Sequence, residues 1–188
     1  MLRAMVVRNL KLYFRDRISV FFSLLGVMVI ILIYILFLGN MIADEVGNFA
    51  GDVARFFTDS WVMAGVIASA SITTCLGGLG LMVEDRARKI TMDFESSPLP
   101  RAQLVLSYVI AAVIIGLVMT TFTLLLGELY IVIYGGRFLS FPSLLKVLGI
   151  IILTVSASSA MVFLMVATVR TPSAFGTLST LVGTLIGF

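Results

Sequence analysis

Histidine is absent from the 188 residues, and cysteine occurs once, at Cys75. Without histidine there is no HExxH zinc motif and no serine–histidine nucleophile pair. No uncharged run carries the two acids that carboxylate chemistry needs. That inventory points away from an intramembrane enzyme. A lone cysteine inside an apolar run builds no disulfide framework and is read as packing. The nucleotide-cradling pattern GxxxxGK[ST] is also missing, so no cofactor is expected on this chain. Charge is scarce too, at 12% of residues, where soluble domains carry roughly 25%.

What fills the sequence is apolar: 60% hydrophobic residues and a mean hydropathy of +1.15. Uncharged runs extend from Ile18 to Ala43, Trp61 to Val83, Ala102 to Gly127, Val147 to Val169 and Thr171 to Phe188. Each is near or above the ~18 apolar residues that span a bilayer core as a helix. A transmembrane barrel would show roughly ten-residue alternating segments instead. The first run lacks a small-residue cleavage site and is too long for a signal-peptide core. The expected fold is therefore an all-α integral membrane protein, a single transmembrane domain over 1–188. It has four full transmembrane helices and the start of a fifth. Because the last run closes without a flanking charge or interfacial anchor, the domain is expected to be incomplete at its C-terminus.

The formal charge of +3 and pI near 9.3 come from basic residues beside the apolar runs, so the partner they indicate is the lipid bilayer and not nucleic acid. Arg3, Arg8, Lys11, Arg15 and Arg17 precede the first run, Arg86, Arg88, Lys89 and Arg101 separate the second from the third, and Arg170 follows the fourth. Only Arg55, Arg137 and Lys146 fall on the other side, near the acidic outer loop with Asp44, Glu45, Asp52 and Asp59. The bias predicts a multi-pass protein of the cell membrane with its N-terminus in the cytoplasm.

Two stretches carry a finer pattern. Over 1–17, helical spacing puts Arg3, Arg8, Lys11 and Arg15 on one arc and Leu2, Met5, Val6, Leu12 and Tyr13 on the other. This predicts an amphipathic helix lying in the membrane interface, basic arc to the headgroups and apolar arc to the acyl boundary. A simple basic topogenic patch is the alternative. Between Glu84 and Glu95, seven charged residues crowd into twelve positions. Glu84 with Arg88, and Asp85 with Lys89, are spaced as intrahelical ion pairs that extend the second span beyond the lipid. Ile90 and Phe94 form an apolar pair among those charges, and Ser97-Pro98-Leu99-Pro100 breaks the helix. Charge alone fits a docking surface and a solvated loop equally.

The run Glu84-Asp85-Arg86-Ala87-Arg88-Lys89-Ile90, followed by Phe94-Glu95-Ser96-Ser97-Pro98-Leu99-Pro100-Arg101, resembles the segment between the second and third membrane helices of ABC type-2 transporter permeases. The wider layout is similar: a basic amphipathic helix first, an acidic outer loop, and a short connection at Val169-Arg170-Thr171-Pro172. Two positions depart from the pattern, since members often carry glycine where Lys89 stands and near Ser107. The resemblance implies six spans in the whole family member. It also implies that 84–101 is a cytoplasmic coupling segment, in which Glu84, Arg86, Arg88, Lys89, Ile90, Phe94 and Pro98 meet an ATP-binding subunit. ATP and magnesium would be held in that partner. A second permease copy or a paralogue would complete the pathway of an ATP-driven exporter. The other readings are a secondary transporter or channel, and a membrane anchor or assembly subunit without transport.

Several further residues invite two readings. Ser69, Ser71, Thr73, Thr74, Thr120, Thr121, Thr123, Ser156, Ser158 and Ser159 suit a polar route or close helix packing. Gly77, Gly78 and Gly80 suit close backbone approach or bending near the cytoplasmic end of the second span. Glu128, the one acid in an apolar context, lies about 39 Å along a helix from Ala102, which suits headgroup-level anchoring or gating and release. Trp61, Tyr130 and Tyr134 suit an aromatic belt at the outer interface.

Overall fold

The computed structural model describes residues 2–34, 39–91, 100–133, 138–169 and 171–187, with the backbone alone at 19, 39–56 and 187. Every element is helical: α1 (Leu2–Arg15), α2 (Arg17–Ile33), α3 (Gly39–Ala87), α4 (Arg101–Ile133), α5 (Phe141–Thr168) and α6 (Pro172–Gly187). Among the described residues, three helices are long and apolar enough to cross a membrane, namely Phe57–Ala87 within α3, α4 and α5. The chain is an all-α, multi-pass membrane protein. α2 has 17 residues, about 25 Å of helix, and residues 35–38 that would prolong its apolar run lie outside the described residues.

Local chemistry sets the boundaries. α4 starts at Arg101 directly after Pro100, whose carbonyl accepts the first helical bonds from the Gln103 and Leu104 N–H groups. At the start of α6, Thr171 caps through its hydroxyl, which accepts the Ala174 N–H at 3.3 Å. Pro172 follows at the first helical position, where its missing N–H costs nothing. One expectation fails here. The acidic segment 44–59 is not a loop, because α3 already begins at Gly39. Its polar residues carry ordinary helical propensity, and apolar spacing alone could not separate a helix outside the core from a turn.

α3 is central and touches each of the other five helices. Its approach to α4 and α5 depends on missing side chains. A Cβ on Gly78 would stand 3.0 Å from the Ala112 Cα, and one on Gly116 would stand 2.7 Å from a Val155 methyl and 3.1 Å from the Cys75 sulfur. Small residues of this kind bring backbones together where lipid supplies no hydrophobic driving force. The core that results is built from Cys75, Leu79, Met82, Tyr108, Ala112 and Val155.

The N-terminal helix is amphipathic as expected, with Val6, Asn9 and Tyr13 buried. The cover over that face is protein, since α1 packs more extensively on α4 than on α2, the helix that follows it in the chain. Arg3, Lys11 and Arg15 are exposed, whereas Arg8 turns inward.

Candidate functional site at the basic end of the bundle

Where α3 ends, two faces of one turn have different surroundings. Leu79, Met82 and Asp85 follow one another at helical spacing and are all buried, so Asp85 prolongs the core row. Glu84 and Arg88 point outward, 57% and 72% exposed, with 3.8 Å between their charged atoms. The helix then closes in a left-handed cap: Lys89 has φ 61, and its N–H bonds the Arg86 carbonyl at 3.1 Å. Glycine is the usual residue in that conformation because it has no Cβ to clash. The departure noted at Lys89 therefore falls on a position where the backbone itself favours glycine.

The predicted partner of Asp85 was Lys89, and this is corrected. Lys89 lies in the cap, while Asp85 takes a bidentate pair from Arg8, Nη1 to Oδ2 at 2.8 Å and Nη2 to Oδ1 at 3.2 Å. The Tyr108 hydroxyl donates to the same Oδ2 at 2.5 Å. Arg8 also donates to the Asn9 side-chain oxygen at 3.1 Å. The Asn9 amide reaches the Ser107 hydroxyl at 3.5 Å, and Ser107 donates to the Leu104 carbonyl at 2.6 Å. Ser107, near which the second departure from the family pattern falls, is thus a member of this network. The hydrogen bond from Arg8 to Asp85 is the leading cause that raises Arg8 above the ordinary guanidinium value, so Arg8 stays charged. Charge-assisted, forked contacts of this kind are the stronger and more directional hydrogen bonds.

Of the remaining sequence-predicted coupling residues, Arg86 is half-buried and Ile90 partly exposed. Phe94 and Pro98 lie outside the described residues. Ile90, Glu84 and Arg88 line a cavity of about 850 Å³, together with residues of α1, α2 and α3 as far as Ser69 and Val66. Arg8, Asn9, Asp85, Ser107 and Tyr108 were not singled out as a group by sequence. The signal for Asp85 was its place in the Leu79, Met82 row; that for Asn9 was its place between Val6 and Tyr13.

The opposite end has its own polar contacts. Glu128 is buried, and its carboxylate accepts the Leu139 N–H at 3.2 Å, which ties the α4–α5 connection to α4. Asp59 is buried and accepts the Tyr34 hydroxyl at 2.5 Å. The Tyr34 ring stands edge-on to Tyr130 with centroids 6.1 Å apart. Tyr130 is therefore core and not belt, because it fills the space between α2 and α4; Tyr134 lies outside the described residues. Trp61 is exposed, as an interfacial aromatic would be.

A family model described as ABC-2 type transporter matches residues 1–188. The chain belongs to the ABC-2 type transporter family. It is thus a membrane permease component of an ABC transporter, in a family whose membrane domain is non-catalytic. Comparison with curated proteins and with solved structures gave no match. In this ABC-2 permease the hydroxyls of the spans serve mainly the helices themselves. Thr74 and Thr123 donate to carbonyls of their own helices, and Ser71 shares a hydrogen bond with Ser158 across α3 and α5 at 3.2 Å. Ser69 and Thr73 also bond their own backbone but reach the cavity wall.

Proposed function

We propose that this chain is the transmembrane permease subunit of an ATP-driven exporter, converting ATP hydrolysis in a separate cytoplasmic subunit into substrate efflux. The observation that carries the reading is the end of α3. An apolar helix continues into a charged turn whose outer face is exposed, stops in a left-handed cap at Lys89, and leads into Ile90. Family membership supports the same placement for the coupling segment 84–101, in which Phe94 and Ile90 form the apolar anchor and Glu84, Arg86, Arg88 and Lys89 orient it. Pro98 sets the turn into α4. ATP and magnesium belong to the partner, and a second permease copy or paralogue completes the pathway. The Lys/Arg bias supports a cytoplasmic N-terminus, with Lys89 and Arg170 on that side and Asp52 and Arg137 outside. At the outer end the bond from Leu139 to Glu128 supports a role for that carboxylate in anchoring the connection to α4, with gating or release as the alternative role.

An aromatic anchor at an interface centre commonly contributes about 2 kcal/mol or more, and exposed rim charges less. Ile90→Ala with Phe94→Ala should therefore reduce recovery of the ATP-binding subunit and uncouple its hydrolysis from export, more than Arg88→Ala does. Unchanged partner recovery, ATPase stimulation and export at matched expression would reject the coupling role.

A further inference from the structure

The coupling segment hangs between the end of α3 at Ala87 and the start of α4 at Arg101. Both legs of that hairpin are joined by a bond at the α3 end of segment 84–101, from Tyr108 on α4 to Asp85 on α3. The same carboxylate holds Arg8 of α1, a residue 77 positions away in sequence. A buried ion pair is a poor source of net stability, because desolvation offsets much of the attraction; what it fixes is register and angle. Here the forked guanidinium restricts the orientation of α1 against α3, and the Asn9 contact to Ser107 adds a constraint on α4. Asp85 lies four residues before the cap at Lys89, about 6 Å of helix rise, so the junction sits within the first turn of segment 84–101.

We propose that Arg8, Asp85 and Tyr108 form a clamp that makes α1 and the two legs of the coupling hairpin one moving unit. The partner's displacement of the hairpin then also shifts the N-terminal helix. The proposal rests on the coupling role given above. Arg8, Asp85 and Tyr108 are positioning residues in it, acting through the geometry of segment 84–101. α1 then works as a third leg of the coupling device: its exposed Arg3, Lys11 and Arg15 travel with the hairpin instead of marking a fixed point on the membrane surface.

Spin labels at positions 3, 87 and 140, in a Cys75→Ala background, test this in lipid nanodiscs. With the chain alone, the 3-to-87 distance is expected to be single and narrow. It broadens in Asp85→Asn, broadens less in Tyr108→Phe, and narrows again when Arg8→Asp is combined with Asp85→Arg. A 3-to-87 distribution in Asp85→Asn as narrow as in the parent overturns the clamp. In the complex with the ATP-binding subunit, ATP with vanadate is expected to move positions 3 and 87 together relative to 140. In Asp85→Asn only 87 should move. A parent in which 87 moves and 3 does not refutes the shared motion while the coupling role stands. A parent in which 87 does not move refutes the coupling role, and the proposal falls with it.

Discussion

α3 carries a buried aspartate near each end of its apolar stretch, Asp59 and Asp85, and each receives a tyrosine hydroxyl at 2.5 Å. The two are about 39 Å apart along the helix. At Asp59 the donor is Tyr34, the residue directly after α2, whose ring is steadied by Tyr130. At Asp85 the donor is Tyr108 of α4, and a forked guanidinium from α1 is added. The comparison separates two ways of fixing one helix. A phenol and its neighbouring ring hold α3 to α2 and α4 mainly through packing, whereas the guanidinium restricts the orientation of a helix that the chain has otherwise left far behind.

The largest way to break this comparison is Asp85→Ala. It leaves the Arg8 guanidinium, 28% exposed, without its carboxylate, and removing one member of a buried pair costs about 3 kcal/mol or more. The expected result is a strongly lowered unfolding midpoint in detergent, with α1 becoming accessible to protease. Between the two ends, Gly116→Ala asks how far packing alone can be perturbed. The new methyl would meet Val155 and Cys75 at 2.7 and 3.1 Å, and overpacking of this kind costs about 1–3 kcal/mol; thermal unfolding should fall while the Arg8 contacts persist. Tyr34→Phe removes only the donor at Asp59 and keeps the ring contact with Tyr130. A loss near 1 kcal/mol is expected, clearly below that of Asp85→Ala, and equal losses would erase the distinction between the ends.

A smaller effect of opposite sign is expected at Lys89→Gly, which relieves a left-handed residue and should raise stability by up to about 1 kcal/mol. Smallest is Arg88→Ala. Its pair with Glu84 is exposed and 3.8 Å long, so a change beyond about 0.5 kcal/mol in unfolding would contradict its assignment to the outer, partner-facing side.

The helices were legible because lipid imposes a simple demand. An uncharged run such as Ala102 to Gly127 must satisfy its backbone internally, and Pro100 and Pro172 mark where helices begin. The clamp was harder to read because intrahelical spacing offered Asp85 a nearby partner in Lys89, while Arg8 stands 77 residues away. Burial rows carry the missing information. Asp59 continues Met63, Val66 and Ala70, and Asp85 continues Leu79 and Met82, all of them buried. An acid in phase with an apolar row must find its partner on another helix. The same phase explains Tyr130, which spacing from the membrane edge placed at the interface and packing placed against Tyr34. Phe94, central to the proposed docking, rests on its spacing from Ile90 and on the family resemblance.

Because α1 is fastened to α3 and α4, and its polar partners Asp85 and Ser107 lie 77 and 98 residues downstream of Arg8 and Asn9, α1 cannot finish docking until much of the chain has followed it out of the ribosome. At about 5–20 residues per second, Arg8 waits roughly 4 to 15 s for Asp85 to be synthesised. Its arrival at Asp85 is a late step in biogenesis, and a natural point at which a nascent bundle that is correctly threaded becomes distinguishable from one that is not.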